Sequence, residues 1–220
     1  TYTGTGNTGL VTVKVGSKTV YLYDGSNGIL VAEHTGNSIT LGRGLTDNWL
    51  ISTGNVLIDW GDGTVTTVNN PQQYLTHNYT DGKTSHTITF LGNVTSLGDM
   101  CFSDCVGITS VNIPSTVTAL GKECLASCSN LTSISIPDTV VSVGEKCFLF
   151  CNKLDDYQLY WTGEDIIPWV NDKMPVGTRT VFTIPYGETD NYIAKNYPAK
   201  GLLERGYHIT LTADKNVIES

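Results

Sequence analysis

SVNIPSTVTALGKECLASCSNLTSISIPDTVVSVGEKCFLFCNKL, residues 110–154, repeats itself after 23 residues. The same frame extends upstream and downstream of it. It returns Leu97, Leu120 and Val143; Gly98, Gly121 and Gly144; Ile108, Leu131 and Leu154; and Val111, Ile134 and Tyr157. A short fixed period of this kind is the mark of a solenoid, in which each unit buries its apolar side only by stacking on its neighbours. The pattern predicts a strand of about five residues per unit, with a short helical turn or coil on the return path.

All six cysteines fall inside this frame, as CFSDC (101–105), CLASC (124–128) and CFLFC (147–151). On a helical turn, a Cys-x3-Cys spacing sets two small apolar side chains on one face. Stacking the turns then aligns Cys101, Cys124 and Cys147 in one row and Cys105, Cys128 and Cys151 in another. Free cysteine is among the most buried residue types, so the expectation is two buried thiol ladders. An inter-repeat disulfide and a metal or catalytic role are the competing readings. A regular helical turn offers poor geometry for a disulfide within one pair. No histidine lies among the repeats to complete a zinc site, and the Cys-x2-Cys of a redox pair is absent.

Composition excludes some functions and selects none. The chain has 220 residues, 13 Lys and Arg against 21 Asp and Glu, and a net charge of −8. Such a balance argues against a protein that grips phosphate backbones, so no nucleic-acid partner is expected. No apolar window is long enough for a bilayer-crossing helix, and direct membrane insertion is not expected. The chain begins at Thr1, which suggests a mature product or a fragment of something larger.

Residues 1–48 read as an N-terminal region of short strands and tight turns. Residues 49–91 read as a sandwich-like module with a core of Val56, Ile58, Val65, Val68, Tyr79, Ile88 and Phe90. The repeats occupy 92–160. Residues 161–220 read as an α/β capping region, with a strand at 179–185, two helical pieces after it and a last strand at 208–213. Tyr192, Ile193, Tyr197, Leu202 and Leu203 are the expected capping residues. The fold class expected is therefore mainly β, with sandwich-like modules followed by a short solenoid and an α/β cap.

Two resemblances sharpen this. The run 110–154 resembles the BspA-like, or treponemal-type, leucine-rich repeats, whose unit ends its strand in Ile-Pro and carries an aromatic step before a Cys. Here Phe102, Leu125 and Phe148 match that step, and Cys105, Cys128 and Cys151 match the family Cys. Cys101, Cys124 and Cys147 stand where the family usually has Ala. The third unit has Leu159-Tyr160 in place of Ile-Pro, so the regular stack is expected to end there. TVFTIPYGETDNYIAKN (180–196) is similar to the closing segment of such domains. Upstream, IDWGDGTVTT and LTHNYTDGKTSHTITF resemble a PKD-type immunoglobulin-like module, marked by its Trp/Phe-Gly-Asp-Gly turn, here beginning at Trp60, and its His-x-Tyr strand.

The resemblances imply a noncatalytic binding or adhesion segment of a larger bacterial cell-surface or secreted protein, located outside the cell, with a protein or glycan ligand. No cofactor is expected. The alternatives are a structural spacer or phage-tail segment, and the accessory part of a glycan-acting enzyme. The candidate binding surface is Thr109, Ser110, Asn112, Thr132, Ser133 and Ser135 on the repeat strands, with Tyr157, Tyr160, Trp161 and Trp169 beyond them. Asp59 and Asp62 flank Trp60 and Gly61 and are read as caps of turn backbone N–H groups, with a calcium or acid-base role as the alternative. The histidines His34, His77, His86 and His208 show no ligand spacing.

Overall fold

The computed structural model describes residues 2–4, 10–15, 18–23, 29–43, 48–71, 73–165, 181–195, 197 and 202–205, with side chains from residue 29 onward. Among them the architecture is mainly β. Strands β1 (Tyr2–Gly4), β2 (Leu10–Val15) and β3 (Lys18–Tyr23) form an antiparallel sheet. The next group is β4 (Leu30–Thr35), β5 (Ser38–Leu41), β6 (Leu50–Ser52), β7 (Val56–Asp59), β8 (Val65–Val68), β9 (Leu75–Asn78) and β10 (Ser85–Leu91). The solenoid follows with β11 (Val94–Leu97), β12 (Ile108–Asn112), β13 (Ala119–Leu120), β14 (Ser133–Ile136), β15 (Ser142–Val143) and β16 (Asp156–Leu159). Strand β17 (Val181–Ile184), helix α1 (Thr189–Ala194) and β18 (Leu202–Glu204) come after it.

Each solenoid coil has three sides. One is a strand of the series β12, β14, β16, paired in parallel with Ser110 opposite Ser133 and Ser133 opposite Asp156. The second is the short series β11, β13, β15, also parallel. The third is the cysteine-bearing return arm, where a helical turn or coil was expected and the structure has a turn that is not right-handed helix. Met100, Glu123 and Lys146 have φ of 52°, 53° and 55°, and Asp104, Ser127 and Phe150 have 58°, 61° and 61°. A right-handed helix sends its N–H groups back along its own chain. Left-handed residues at these places instead aim alternate N–H groups at the next coil. The Met100, Phe102 and Asp104 N–H groups donate to the Lys122, Cys124 and Ala126 carbonyls at 2.9, 2.7 and 2.9 Å. Glu123, Leu125 and Ser127 repeat the pattern onto Glu145, Cys147 and Leu149.

The interior between the three sides is filled by period. Phe102, Leu125 and Phe148 are fully buried and stack through the stack's length, as do Leu97 and Leu120 beside Val143. Burying each such side chain stabilises the fold by roughly 1.5–3 kcal/mol. Close stacking also constrains the coil corners. A Cβ on Gly121 would lie 2.4 Å from the backbone of Gly98 and Asp99, and one on Gly144 would lie 2.4 Å from Gly121 and Lys122. Only glycine lets the coils approach this closely.

The sheets do not stop at the solenoid. The larger one has nine strands in the order β18-β17-β16-β14-β12-β4-β10-β7-β8, and the short-strand sheet continues from β11 onto β6. The pairing therefore crosses the boundary expected at residue 48, because β4 lies between β10 and β12 with antiparallel register to both. This covers the first coil, whose apolar end would otherwise face water. Of the module core expected from sequence, Val56, Ile58, Tyr79, Ile88 and Phe90 are buried, and Val68 packs partly against them. Val65 is 40% exposed because its edge strand turns it outward.

At the other end the regular 23-residue spacing is lost after β16, but the ladder is not. Strands β17 and β18 add in parallel, with Asp156 opposite Val181 and Phe182 opposite Leu202. Leu202–Glu204 is thus a strand where a second helical piece was expected. Tyr192 and Tyr197 are buried, and their rings lie 4.9 Å apart, with Phe182 5.4 Å from Tyr197. Ile193 and Leu203, expected in the same cap, face outward at 41% and 57% exposure. The strand expected at 208–213 lies outside the described residues.

Candidate binding face

The nine-stranded sheet separates its two faces by side-chain alternation. The inner face carries Ile88, Ala32, Val111, Ile134, Tyr157 and Phe182, opposite one another from strand to strand and all buried. Tyr157 therefore belongs to the core and not to the binding surface expected of it. Its ring stacks on Phe182 at 5.1 Å, and burial pushes its hydroxyl pKa well up. Trp161 is buried too, donating its Nε1–H to the Val140 carbonyl at 2.7 Å and closing the third coil. Trp169 lies outside the described residues.

The outer face is polar and continuous. One row crosses all nine strands as Val65, Asp59, Thr89, Val31, Asn112, Ser135, Gln158, Thr183 and Leu203. None of these is buried. A second row runs Thr87, Glu33, Ser110, Ser133, Asp156 and Val181. At about 4.8 Å between strands, nine strands span on the order of 40 Å. Four expected residues, Ser110, Asn112, Ser133 and Ser135, sit in these rows. Thr109 occupies an irregularity in the β12 register and Thr132 precedes β14, so both lie at strand entries. Their hydroxyls are turned to backbone, Thr109 Oγ1 to Glu33 O at 3.3 Å and Thr132 Oγ1 to Thr109 O at 3.0 Å.

Local hydrogen bonds hold the face in order. Gln158 Nε2 donates to Asp156 Oδ1 at 2.7 Å and to Thr183 Oγ1 at 3.1 Å. Thr87 Oγ1 donates to the Glu33 carboxylate at 3.0 Å. Beyond the strand ends, Tyr160 is 41% exposed and the Arg205 guanidinium lies 3.6 Å over its ring. A cation on a ring face in this way holds the ring in place. Val31, Glu33, Thr89, Gln158, Thr183, Leu203 and Arg205 were missed from sequence. The 23-residue frame contained the signal for Gln158, which falls one period after Ser135.

The carboxylates of the Gly-Asp-Gly turn are committed to the fold. Asp59 accepts the Gly61 N–H at 2.9 Å. Asp62 accepts the Thr64 N–H at 2.9 Å, the Thr64 hydroxyl at 2.6 Å and His77 Nε2 at 2.8 Å. Burial opposes the charge on Asp62, but these donors outweigh it and lower its pKa to about 2. Among the described residues no group of three or more His, Cys, Asp or Glu has the arrangement of a metal site.

The six thiols are buried and free. Cys105, Cys128 and Cys151 donate S–H to the carbonyls of Thr40, Phe102 and Leu125 at 3.2, 3.1 and 3.0 Å. Desolvation pushes Cys105 and Cys151 up to about 12 and Cys128 well above its usual value. In the other row, burial likewise raises Cys101 and Cys147. Against the same desolvation, hydrogen bonds from those two neighbours hold Cys124 lowest of the three.

A stack of parallel coils with a Phe or Leu and a Cys at a fixed place in each return arm is the structural counterpart of the repeat read in the sequence. Residues 76–167 match the BspA type leucine rich repeat region, in six copies. The matched BspA-type stretch begins in β9, takes in β10 with all three cysteine coils, and ends just past the 3-10 turn at Gly163–Asp165. Comparison with curated proteins and with solved structures gave no match. The BspA-type coils contribute β12, β14 and β16 to the middle of the outer face, and the flanking strands continue it on both sides.

Proposed function

We propose that this chain is a noncatalytic binding segment of a larger bacterial cell-surface or secreted protein, and that the outer face of the nine-stranded sheet receives a glycan. The observation that carries the reading is the row of hydroxyl and amide side chains from Thr89 to Thr183, interrupted by a single apolar residue, Val31. Hydroxyls and amides both donate and accept hydrogen bonds, as a neutral polysaccharide requires. The shared backbone ladder keeps them in fixed positions, so little ordering entropy is lost on binding. Residues 49–91 are read as a PKD-type module on the strength of Trp60 stacked on His77 at 4.5 Å, which joins its two sequence marks. In this reading the module and the coils present one face together.

The test is a glycan array run beside a panel of secreted proteins. It uses the wild-type chain, an Asn112→Arg/Ser135→Arg double variant on the outer face, and a Glu145→Lys control on the return arm. Binding to a glycan that falls at least about tenfold in the double variant and persists in the control is expected, since a desolvated polar contact contributes on the order of 1 kcal/mol and two are disrupted. Binding that survives the double variant places the ligand elsewhere. Capture of a protein and no glycan replaces the glycan by a protein partner, and no binding at all favours a spacer.

A further inference from the structure

Three of the four histidines meet at one place, at the seam between the N-terminal module and the first coil. His34 on β4 and His86 on β10 are directly opposite in register, and both are buried, at 2% and 3% exposure. Tyr79 lies against both, its ring 3.6 Å from that of His86 and 5.4 Å from that of His34. His77 meets Tyr79 edge-on at 4.7 Å. Two of these histidines have a carboxylate each: His77 Nε2 lies 2.8 Å from Asp62, and His86 Nε2 lies 3.0 Å from Asp81. His34 makes no such pair among the described contacts. Its Nδ1, the Nδ1 of His86 and the Tyr79 hydroxyl are all buried without a hydrogen-bond partner.

The seam rests on His34. Thr35 N–H donates to the Gly107 carbonyl at 2.7 Å, and Thr35 Oγ1 donates to the same oxygen at 3.2 Å. The His34 ring fills the space beneath: a Cβ on Gly107 would come within 2.4 Å of His34 Nε2. Ile108, the first residue of β12, is opposite His34 in the register. A cavity of about 340 Å³ adjoins the ring, with Arg43, Asp104 and Cys105 on its walls.

We propose that the seam between β4 and β12 is an acid-sensitive joint: protonating His34 sets a buried charge beside His86 with no carboxylate to receive it, and the seam opens to water. The charged groups around it do not offset this. From β10 comes His86, and from β9 His77, both cations when protonated. Asp62 and Asp81 are engaged by those two histidines. From the return arm comes Asp104, half exposed and 3.9 Å from Arg43, which lines the same cavity. Cys105 is a neutral thiol bonded to Thr40.

Burial first, and the His86 charge after it, lower the pKa of His34 below 6.5; a hydrogen bond to the Ser38 backbone on β5 opposes them, and the His77 charge adds a smaller lowering. The sign follows from linkage. An opened seam takes up a proton at the ordinary histidine value and the closed seam resists it, so closure is complete above 6.5 and weakens as pH falls below. One linked proton changes the opening equilibrium by about tenfold per pH unit. Asp62, with its lowered pKa, contributes only in a separate window, below the usual carboxylate range.

Amide exchange at Thr35, corrected for intrinsic rates and compared between pH 7.5 and 5.0, tests this. The expected result is a rise in opening at Thr35 as pH falls below 6.5, of up to about tenfold per pH unit, with none at Ile134 in the middle of the stack. In His34→Gln the acid-dependent rise is expected to vanish. An equal rise in wild type and His34→Gln overturns the proposal. Where that variant does not fold, the wild-type His34 Cε1 proton is titrated by NMR: a midpoint below 6.5 supports the proposal, and one at or above 6.5 overturns it.

Discussion

At the scale of single residues, the glycine column and the two thiol rows set how closely the coils stack. Gly121 faces the backbone of Gly98 and Asp99 as well as the Asp99 carboxylate, and because the backbone cannot swing aside, a methyl group there must push two coils apart. Gly121→Ala is expected to lower stability by about 2–3 kcal/mol, read from the urea midpoint, as overpacking of a tight site does. The same substitution at Gly63, where an added Cβ meets nothing within 4 Å, separates close approach from backbone strain, since Gly63 has φ of +89°. The sequence made the glycine period visible but not its cause, because the contact is between residues one full coil apart. Tyr157 shows the converse. It shares a frame with Val111 and Ile134, which fixes it in the core, yet its hydroxyl and its neighbour Tyr160 suggest a surface aromatic set. Frame position decides here, and Tyr160 is exposed because it stands beyond the end of β16.

At the scale of elements, sequence reasoning placed the return arm and left its shape open between a helical turn and coil. A Cys-x3-Cys spacing fits a helical turn, and it equally fits a turn with a left-handed residue before the first Cys and another before the second. The second form prevails because it passes three N–H groups from each of the first two arms to the next coil, whereas a single helical turn leaves most of its own unpaired. Left-handed backbone costs an ordinary L-residue about 1 kcal/mol, and Asn bears it more easily. Lys146, exposed with φ of 55°, allows a test on the arm. Lys146→Asn is expected to raise stability by about 0.5 kcal/mol and Lys146→Val to lower it by about 1 kcal/mol or more, because a β-branched residue is poorly accommodated at positive φ. Thermal or urea unfolding of the two variants side by side reads the difference, and a stable Val variant contradicts the assigned backbone. Strand β17 and helix α1 fall where a strand and a first helical piece were expected, whereas β18 stands where the second helical piece was read, since the spacing onto it leaves the 23-residue frame.

At the scale of the whole molecule, a single nine-stranded sheet joins module, solenoid and closing strands, and its outer face is the proposed site. The sequence showed the repeat and the strand-rich module, but the join between them depends on β4 reaching across from residue 30 to pair with residues near 110, a contact no local pattern encodes. The polar row was half legible for the same reason: its repeat members follow the period, and its flanking members follow the register. Everything in this arrangement requires the six cysteines to fill the interior as free thiols while the polar rows face outward. Alkylation followed by intact mass, without reductant, tests that most directly. The account predicts no added group on the native chain and six after denaturation, one for each cysteine. Labelling of the native protein, or fewer than six groups on the denatured chain, would contradict it.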